Sequence, residues 1–467
     1  MRLKILLILF ALVLIFSGTA TAWQQSVLSL EEALQAVLEQ KIEVKEAENT
    51  LLDAKSDFAA FEEEQGLQWE LSLPAATFDA DGLQLSETWA LTGKAGSTTE
   101  YTINLGKRAA GIPSTLKEEL SFSVSRRLWP DPEPALDQRE ESLVMGVQFA
   151  EKSLADTQNQ VLISAYDQYR NLQLGQIKLK LLEEKAALAQ STYQKAKRLL
   201  EIDETTPAEV KEAEAAWLRQ EATLVKERAA WQKEKVVFLQ SLGRAANIGL
   251  DALNLTEVIE QAEACLAEPD QPAVSLETVL AESREIQTLA GQVRLKEKAL
   301  EIAEGDSAWA VDLSVGVTTD IQTQETDWSA GLSATLDLSG QKARERQVEK
   351  AHRELELAKQ KLAEARVRVE QEFSQARADL TYQKALLEAA YFEWQAAEGN
   401  LQVAAKQLRE GFITDDQYSE TKIAAKTAQL QLAQAYFAYR VQHLKLLSLA
   451  GEKPLLEIAK GETSHAD

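Results

Sequence analysis

Two long stretches with no proline beyond their first turn constrain this chain more than any other feature. Residues 133–202 and 340–410 each carry hydrophobic side chains spaced alternately three and four apart, which is typical of a coiled-coil-like helix. At 1.5 Å per residue each helix spans on the order of 100 Å, far more than an ordinary globular helix. A breaker follows each stretch, at Asp203 to Pro207 and at Gly411, and then a shorter helical pattern. The sequence therefore predicts two antiparallel helical hairpins, with returning helices at about 207–242 and 414–450.

The two hairpins are related by a constant sequence offset of 208. Among the hydrophobic positions that recur at this offset are Leu154, Leu172 and Leu179, which become Leu362, Leu380 and Leu387. The opening Leu28-to-Leu34 segment recurs at 274–280, with Ser29 as the expected helix N-cap but without a capping-box Glu or Gln. The chain thus divides into two tandem structural repeats. We place them at 23–243 and 274–451, with a connector at 244–273 and a tail at 452–467.

Between the opening helix and the long helix of the second repeat, the hydrophobic period changes to two. Two runs of about ten residues alternate apolar with small polar side chains, which suits barrel strands that face lipid on one side and water on the other. A soluble hairpin lying on a core fits the same period. The long helices offer no obvious sheet partner, so the context favours a membrane β-barrel portion. The candidate lipid-facing residues are Trp309, Val311, Leu313, Val315, Val317, Trp328, Leu332 and Leu336.

The first repeat has a less regular alternation. Residues 67–73 and 118–128 are predicted strands, and 83–91 and 99–105 are further candidates that either extend those strands or form an extra hairpin outside the lipid. Arg126 interrupts the apolar face, which is tolerable only near the edge of a bilayer. The sequence therefore predicts about four strands per chain.

The N-terminus and the composition indicate the cellular compartment and exclude several functions. Arg2 and Lys4 precede an apolar run and an Ala20-Thr21-Ala22 triplet, which predicts a secretory signal peptide over 1–22. The formal net charge is −24, which argues against nucleic acid as a partner. The one cysteine, Cys265, excludes an intramolecular disulfide. No phosphate-binding loop, nucleophile elbow, zinc-protease motif or dinucleotide fingerprint is present, so we expect neither an enzyme, a metal site nor a cofactor.

Taken in order along the chain, these features resemble the TolC-like outer membrane efflux proteins. The resemblance depends on the signal sequence, the Leu28-to-Leu34 opening, the two strand insertions, the 336–340 exit into a long helix, and the turn around Gly411. It implies a mainly α fold and a homotrimer whose chains each give four strands to one twelve-stranded barrel and whose helices form a hollow α-barrel across the periplasm. Implied partners are outer membrane lipid, a periplasmic adaptor, and an inner-membrane pump or ABC transporter.

The resemblance also implies an acidic constriction, or aperture, at the two hairpin turns. The candidate aperture residues are Glu204, Glu209, Glu212, Asp415, Asp416 and Glu420. Basic neighbours that can pair with them and hold a closed state are Arg198, Lys211, Arg409 and Lys422. Multiplied over three chains, carboxylates in a narrow passage favour cations. The alternative is that these are ordinary solvated charges at helix ends.

A second class of function is a secreted periplasmic coiled-coil scaffold or adaptor without a pore. An adaptor should carry one hairpin flanked by glycine-rich β-domains, whereas this chain has two hairpins interleaved with strand pairs. A scaffold has no reason to keep the apolar alternation of 309–317 and 328–338. The duplication therefore favours the channel. The transported substrate, and efflux as against polypeptide secretion, stay open.

Overall fold

A computed structural model describes residues 27–73, 76–79, 82–85, 89–95, 99–110, 115–130, 133–267, 274–337 and 340–459. The predicted signal peptide and the end of the predicted tail lie outside the described residues. The described residues belong to two compact units. The helical unit lies within Met1–Lys45, Asp156–Ser275 and Phe373–Asp467, and the sheet unit within Glu46–Ala155 and Leu276–Glu372.

Helices account for most of the described chain. They are α1 (Leu30–Gln40), α2 (Ile42–Gln65), α3 (Glu133–Glu201), α4 (Pro207–Ser241), α5 (Leu255–Ala267), α6 (Leu276–Glu282), α7 (Arg284–Gly305), α8 (Gln341–Arg409), α9 (Asp415–Leu449) and α10 (Pro454–Ala459). The strands are β1 (Val27–Leu28), β2 (Leu67–Ser72), β3 (Ala76–Asp79), β4 (Gly82–Leu85), β5 (Trp89–Ala95), β6 (Thr99–Ala110), β7 (Thr115–Trp129), β8 (Gly249–Leu250), β9 (Trp309–Asp320) and β10 (Thr326–Leu336). Within the described ranges, no helix is long and apolar enough to cross a membrane.

The four hairpin helices match the predicted bounds to within one residue. Both long helices, α3 and α8, have 69 residues, and both returning helices, α4 and α9, have 35. All of their starts and ends are separated by the offset of 208. The positions spaced alternately three and four apart form a seam from Leu154 to Leu200 in α3 and from Leu362 to Leu408 in α8. This seam includes Gln168 and Arg366, which are exposed, and is otherwise buried or half-buried throughout. The alternating three-and-four spacing therefore identified the inward faces of both long helices.

The core of the helical unit joins the hairpins to the opening helix α1. Leu34, Leu162, Leu239 and Leu432 are fully buried in one cluster. The Tyr169 hydroxyl donates to the Leu28 carbonyl oxygen over 2.8 Å, and burial raises the pKa of Tyr169 to about 12. The short parallel β1–β8 pair completes this contact. The residues that lead into α1 are thus fixed to the middle of α3.

The start of α1 corrects one expectation from the sequence. Ser29 is the N-cap, as predicted, but the capping box expected to be missing is present. The Glu32 backbone N–H donates to Ser29 Oγ, and the Ser29 N–H donates to the Glu32 carboxylate, each over 3.2 Å. The correct spacing places the acidic partner at the third helical position, Glu32.

The sheet corrects the predicted strand number. Six strands form one antiparallel sheet in the order β10-β9-β7-β6-β5-β2, instead of about four. The insert between β2 and β7 supplies β5 and β6, which lie between those two strands, so β2 does not pair with β7. A separate two-stranded sheet is formed by β3 and β4.

A close contact between β2 and β5 explains why the apolar alternation of β5 is interrupted at Gly93. Gly93 occupies an apolar-face position opposite Trp69, and a Cβ on Gly93 would come within 2.6 Å of the Trp69 ring. The indole therefore covers the position that an apolar side chain fills elsewhere. An aromatic ring over a cross-strand glycine is a known way of stabilising such a gap.

Through the middle of the sheet, one face is apolar and the other is polar across all six strands. Because paired residues in an antiparallel sheet point to the same side, the register defines the rows of each face. One apolar row is Leu71, Leu91, Ile103, Phe122, Val317 and Trp328. The next row on the opposite face is Ser72, Ala90, Asn104, Ser121, Thr318 and Asp327. The sheet is therefore amphipathic from edge to edge.

Candidate functional site

The first hairpin turn is built by a left-handed residue at the end of α3. Asp203 has a φ of 59°, a conformation that Asp tolerates better than most residues. The Glu204 N–H donates to the Leu199 carbonyl over 2.9 Å, and the Asp203 N–H donates to the Leu200 carbonyl over 3.1 Å. This pair of bonds is a Schellman motif, which satisfies the last carbonyls of the helix.

The second turn repeats this geometry 208 residues later. Gly411 has a φ of 79°. The Phe412 N–H donates to the Gln407 carbonyl over 2.9 Å, and the Gly411 N–H donates to the Leu408 carbonyl over 3.1 Å. Both long helices thus end in the same motif, and their turns present equivalent positions to solvent.

Capping boxes start both returning helices and engage one of the candidate carboxylates. In α9 the box joins Thr414 and Gln417, and in α4 it joins Thr206 and Glu209. The Glu209 carboxylate accepts hydrogen bonds from the Thr205 hydroxyl and, over 3.2 Å, from the Thr206 N–H. These two bonds, the hydroxyl first, lower the pKa of Glu209 below its ordinary value. Glu209 is therefore a charged cap of its own helix.

Asp416 makes an ion pair that the sequence did not indicate. Its carboxylate lies 2.5 Å from Lys195 Nζ of α3, and its side chain is 27% exposed. A second link follows further along the same helices, where Lys426 Nζ lies 2.5 Å and 2.7 Å from the two carboxylate oxygens of Glu184. Both pairs join a helix of the first hairpin to a helix of the second within the helical unit. A half-exposed pair contributes about 0–1 kcal/mol, so these links add little to the stability of the fold.

The other candidates at the turns stay in solvent. Glu204, Glu212, Asp415 and Glu420 are exposed. Within the described part of the chain, the expected basic partners do not pair with the candidate carboxylates. These are Arg198, Lys211, Arg409 and Lys422, all exposed, and the Arg409 side chain donates to the Ala405 carbonyl of its own helix over 3.2 Å. The turns therefore present acidic groups to solvent, with Lys195 rather than the expected cations as the partner of Asp416.

The residues predicted to face lipid share one side of the sheet. Trp309 pairs with Leu336, Leu313 with Leu332 and Val317 with Trp328, so the apolar side chains of β9 and β10 form continuous rows. Val311 and Val315 lie on the same face, opposite Ala334 and Ala330. Trp328 is 79% exposed and Leu332 is 68% exposed. This side of the sheet is apolar and open to solvent in the single chain.

Arg126 lies at one end of the apolar face. It pairs with Leu313 and Thr99, in the same row as Leu67, the first residue of β2. The position is close to the ends of the strands that join the helices. On the other face, Arg127 forms an ion pair with Asp312 over 3.1 Å. Ser and Thr side chains lie on the same face.

Comparisons with known proteins identify the fold. No family model and no curated protein sequence matches the chain. Solved structures do match. The outer membrane protein VceC from Vibrio cholerae is 15% identical, with a TM-score of 0.57 over 90% of this chain and 96% of that one.

Two outer membrane channels give similar results. The Neisseria gonorrhoeae MtrE channel, in its open state, is 12% identical, with a TM-score of 0.58 over 91% of this chain and 89% of that one. The Campylobacter jejuni CmeC channel is 13% identical, with a TM-score of 0.57 over 90% and 85%. The chain therefore has the fold of TolC-like outer membrane factors, and the resemblance read from the sequence is confirmed at the level of the fold.

Proposed function

We propose that this chain is one subunit of a trimeric outer membrane channel, which spans the periplasm and serves a tripartite efflux or type I secretion system. The observation that carries the proposal is the amphipathic six-stranded sheet, whose apolar face is exposed in a protein with the outer membrane factor fold. The role is conduction rather than catalysis.

Lipid is the solvent that suits the apolar face. Burying one large apolar side chain contributes about 1.5–3 kcal/mol relative to leaving it in water. Five large side chains on this face are more than 40% exposed: Trp69, Leu71, Phe122, Trp328 and Leu332. In water the protein would lose the favourable burial free energy of each of them. The small polar side chains of the other face suit a water-filled lumen.

An apolar stripe on α8 supports association of several copies through their helices. At 100° per residue its members fall within an arc of about 120°, roughly opposite the buried seam. No neighbour in the described chain covers them, since each is at least 41% exposed. They are Leu357, Val367, Tyr382, Leu386, Phe392 and Val403. Contact with neighbouring copies buries this stripe, as a closed tube of helices requires. The trimer and the two tandem repeats belong to the same proposal.

The hairpin turns are the proposed aperture of the channel. Exposed carboxylates lie at both turns, and the Asp416–Lys195 pair joins the two hairpins beside them. Three copies place these acidic groups around one axis, which favours the passage of cations. Phe412 and Ile202, 76% and 62% exposed at the tips, are apolar contact points for a periplasmic adaptor, which in turn connects the channel to an inner-membrane pump.

Mass and ion flux together test the proposal. The molar mass of the detergent-purified protein is measured by light scattering. The protein is then reconstituted into potassium-loaded liposomes, and potassium release is followed with an electrode. We expect the mass of three chains and protein-dependent release. A protein that stays monomeric in buffer without detergent and releases no potassium overturns the proposal and supports the scaffold or adaptor.

A further inference from the structure

The insert in the first repeat extends the membrane sheet. β5 and β6 are hydrogen-bonded in register between β2 and β7. Their apolar positions, such as Leu91 and Ile103, continue the apolar rows, and Thr92 and Thr102 continue the polar face. A hairpin outside the lipid is not required to place apolar and polar side chains on the same faces as the neighbouring strands. The matching faces therefore indicate that β5 and β6 share the environment of β9 and β10.

The two edges of this sheet are complementary. Neighbouring strands alternate in direction, so with six strands the edges β2 and β10 run in opposite directions. All residues of both edge strands are exposed, and an edge strand leaves a row of backbone N–H and C=O groups unpaired. In lipid such groups must be paired. Joining β2 of one copy to β10 of the next gives an antiparallel ladder and continues both faces.

We propose that a second copy of this chain pairs with each sheet edge, and that three copies close an eighteen-stranded barrel, not a twelve-stranded one. This inference depends on the trimer of the proposed function and adds the number of strands. The even number of strands per chain makes every joint between copies antiparallel, as closure of such a barrel requires.

The wider barrel changes what can leave at the outer end. Barrel diameter grows roughly linearly with strand number, so eighteen strands give a lumen about 1.5-fold wider than twelve. Barrels of this size hold an aqueous channel. The lumen face carries charges of both signs, including Lys94 opposite Glu100 and the Arg127–Asp312 pair. The outer end is therefore a wide polar exit, suited to large hydrophilic or polypeptide cargo. Selection among substrates then takes place at the hairpin turns.

Cysteine accessibility tests whether β5 and β6 line the barrel. In a full-length Cys265→Ser background, single cysteines replace Leu91, Thr92, Thr102 or Ile103, and the reconstituted protein reacts with a charged, membrane-impermeant thiol reagent. Matched controls in β9 are Ser314→Cys on the polar face and Val315→Cys on the apolar face. Because a charged reagent does not enter hydrocarbon, we expect polar-face cysteines to react at least about tenfold faster than apolar-face cysteines in all three strands.

The controls separate failure of this inference from failure of the proposed function. If β9 shows the alternation but all four positions of β5 and β6 react equally fast, the insert lies outside the lipid and the barrel has twelve strands. If β9 also lacks the alternation, the sheet is not in a membrane and the proposed channel is wrong. A count of strands in an electron cryomicroscopy map of the trimer gives eighteen if the inference holds and twelve if it does not.

Discussion

A charge placed in the middle of the apolar face is the perturbation for which the structure gives the clearest magnitude. Along β7 this face carries charges at Arg126 and Glu118, eight residues apart. At a rise of about 3.3 Å and a strand tilt of about 40°, they are separated by roughly 20 Å along the membrane normal. Phe122 lies halfway, and its partner in β9 is Val317. Val317 is therefore expected near the bilayer midplane.

Replacing Val317 by Lys should cost about 2–4 kcal/mol per chain, the range for Lys on the lipid face at this depth. Since about 1.4 kcal/mol is a factor of ten in an equilibrium constant, insertion should fall by more than tenfold, and by far more in a trimer with three such charges. Thr318→Lys is the matched control, because Thr318 points to the polar face opposite Asp327. Its expected cost is close to zero.

Refolding from urea into liposomes measures the difference. The inserted fraction is the protein that floats with the lipid and resists protease. We expect Thr318→Lys to insert like the unmodified chain and Val317→Lys to remain largely unfolded or aggregated. Equal insertion of the two variants refutes the assignment of this face to lipid, and equal loss shows that the strand tolerates no charge on either side.

Three further predictions concern the helices. Asp416→Asn should reduce cation selectivity in reversal-potential measurements. Lys195→Gln, which frees the same carboxylate, should raise conductance without reducing selectivity. If neither variant changes selectivity or conductance, the aperture lies elsewhere. Because the pKa of Glu209 is lowered in the fold, its capping bonds stabilise α4 above the ordinary pKa of 4.5 and are lost as the pH falls through the lowered value. The hydrogen-exchange protection factors in the first turn of α4, which correct for the slower intrinsic exchange at low pH, should therefore fall below about pH 4.5, and Glu209→Gln should abolish that fall. Gly175→Ala should destabilise the hairpin by about 1–3 kcal/mol, because the new Cβ would lie 2.6 Å from the Trp231 indole of the facing helix. Gly146→Ala, at an open helical position, should stabilise the protein by up to about 1 kcal/mol. Equal shifts of the melting temperature in the two variants contradict this packing.

The long helices were predictable because several local signals agree. The seam spacing, the breakers at Asp203 and Gly411, and threonines that cap both returning helices all act within a few residues. The Thr-x-x-Glu and Thr-x-x-Gln patterns at Thr206 and Thr414 were also visible in the sequence. The first of these patterns indicates that Glu209 is a helix cap as well as a candidate aperture charge.

The strand number and the ion pair were harder to predict, because both depend on contacts between distant residues. β5 lacks regular alternation since Trp69 of another strand covers Gly93. The Lys195–Asp416 pair joins residues 221 apart in the sequence, and no spacing rule within one helix selects Lys195 over the neighbouring Arg198. Periodicity identifies the face of an element, but only the tertiary fold selects which side chains meet across two elements.

Single-channel recording in a planar bilayer tests the central claim most directly. The detergent-purified trimer is added to one side of the membrane, and current steps and reversal potentials are measured in a potassium chloride gradient. The account predicts discrete, cation-selective steps. A protein of defined mass that produces no steps, and that remains in solution without detergent, contradicts the channel and leaves the helical hairpins as a scaffold.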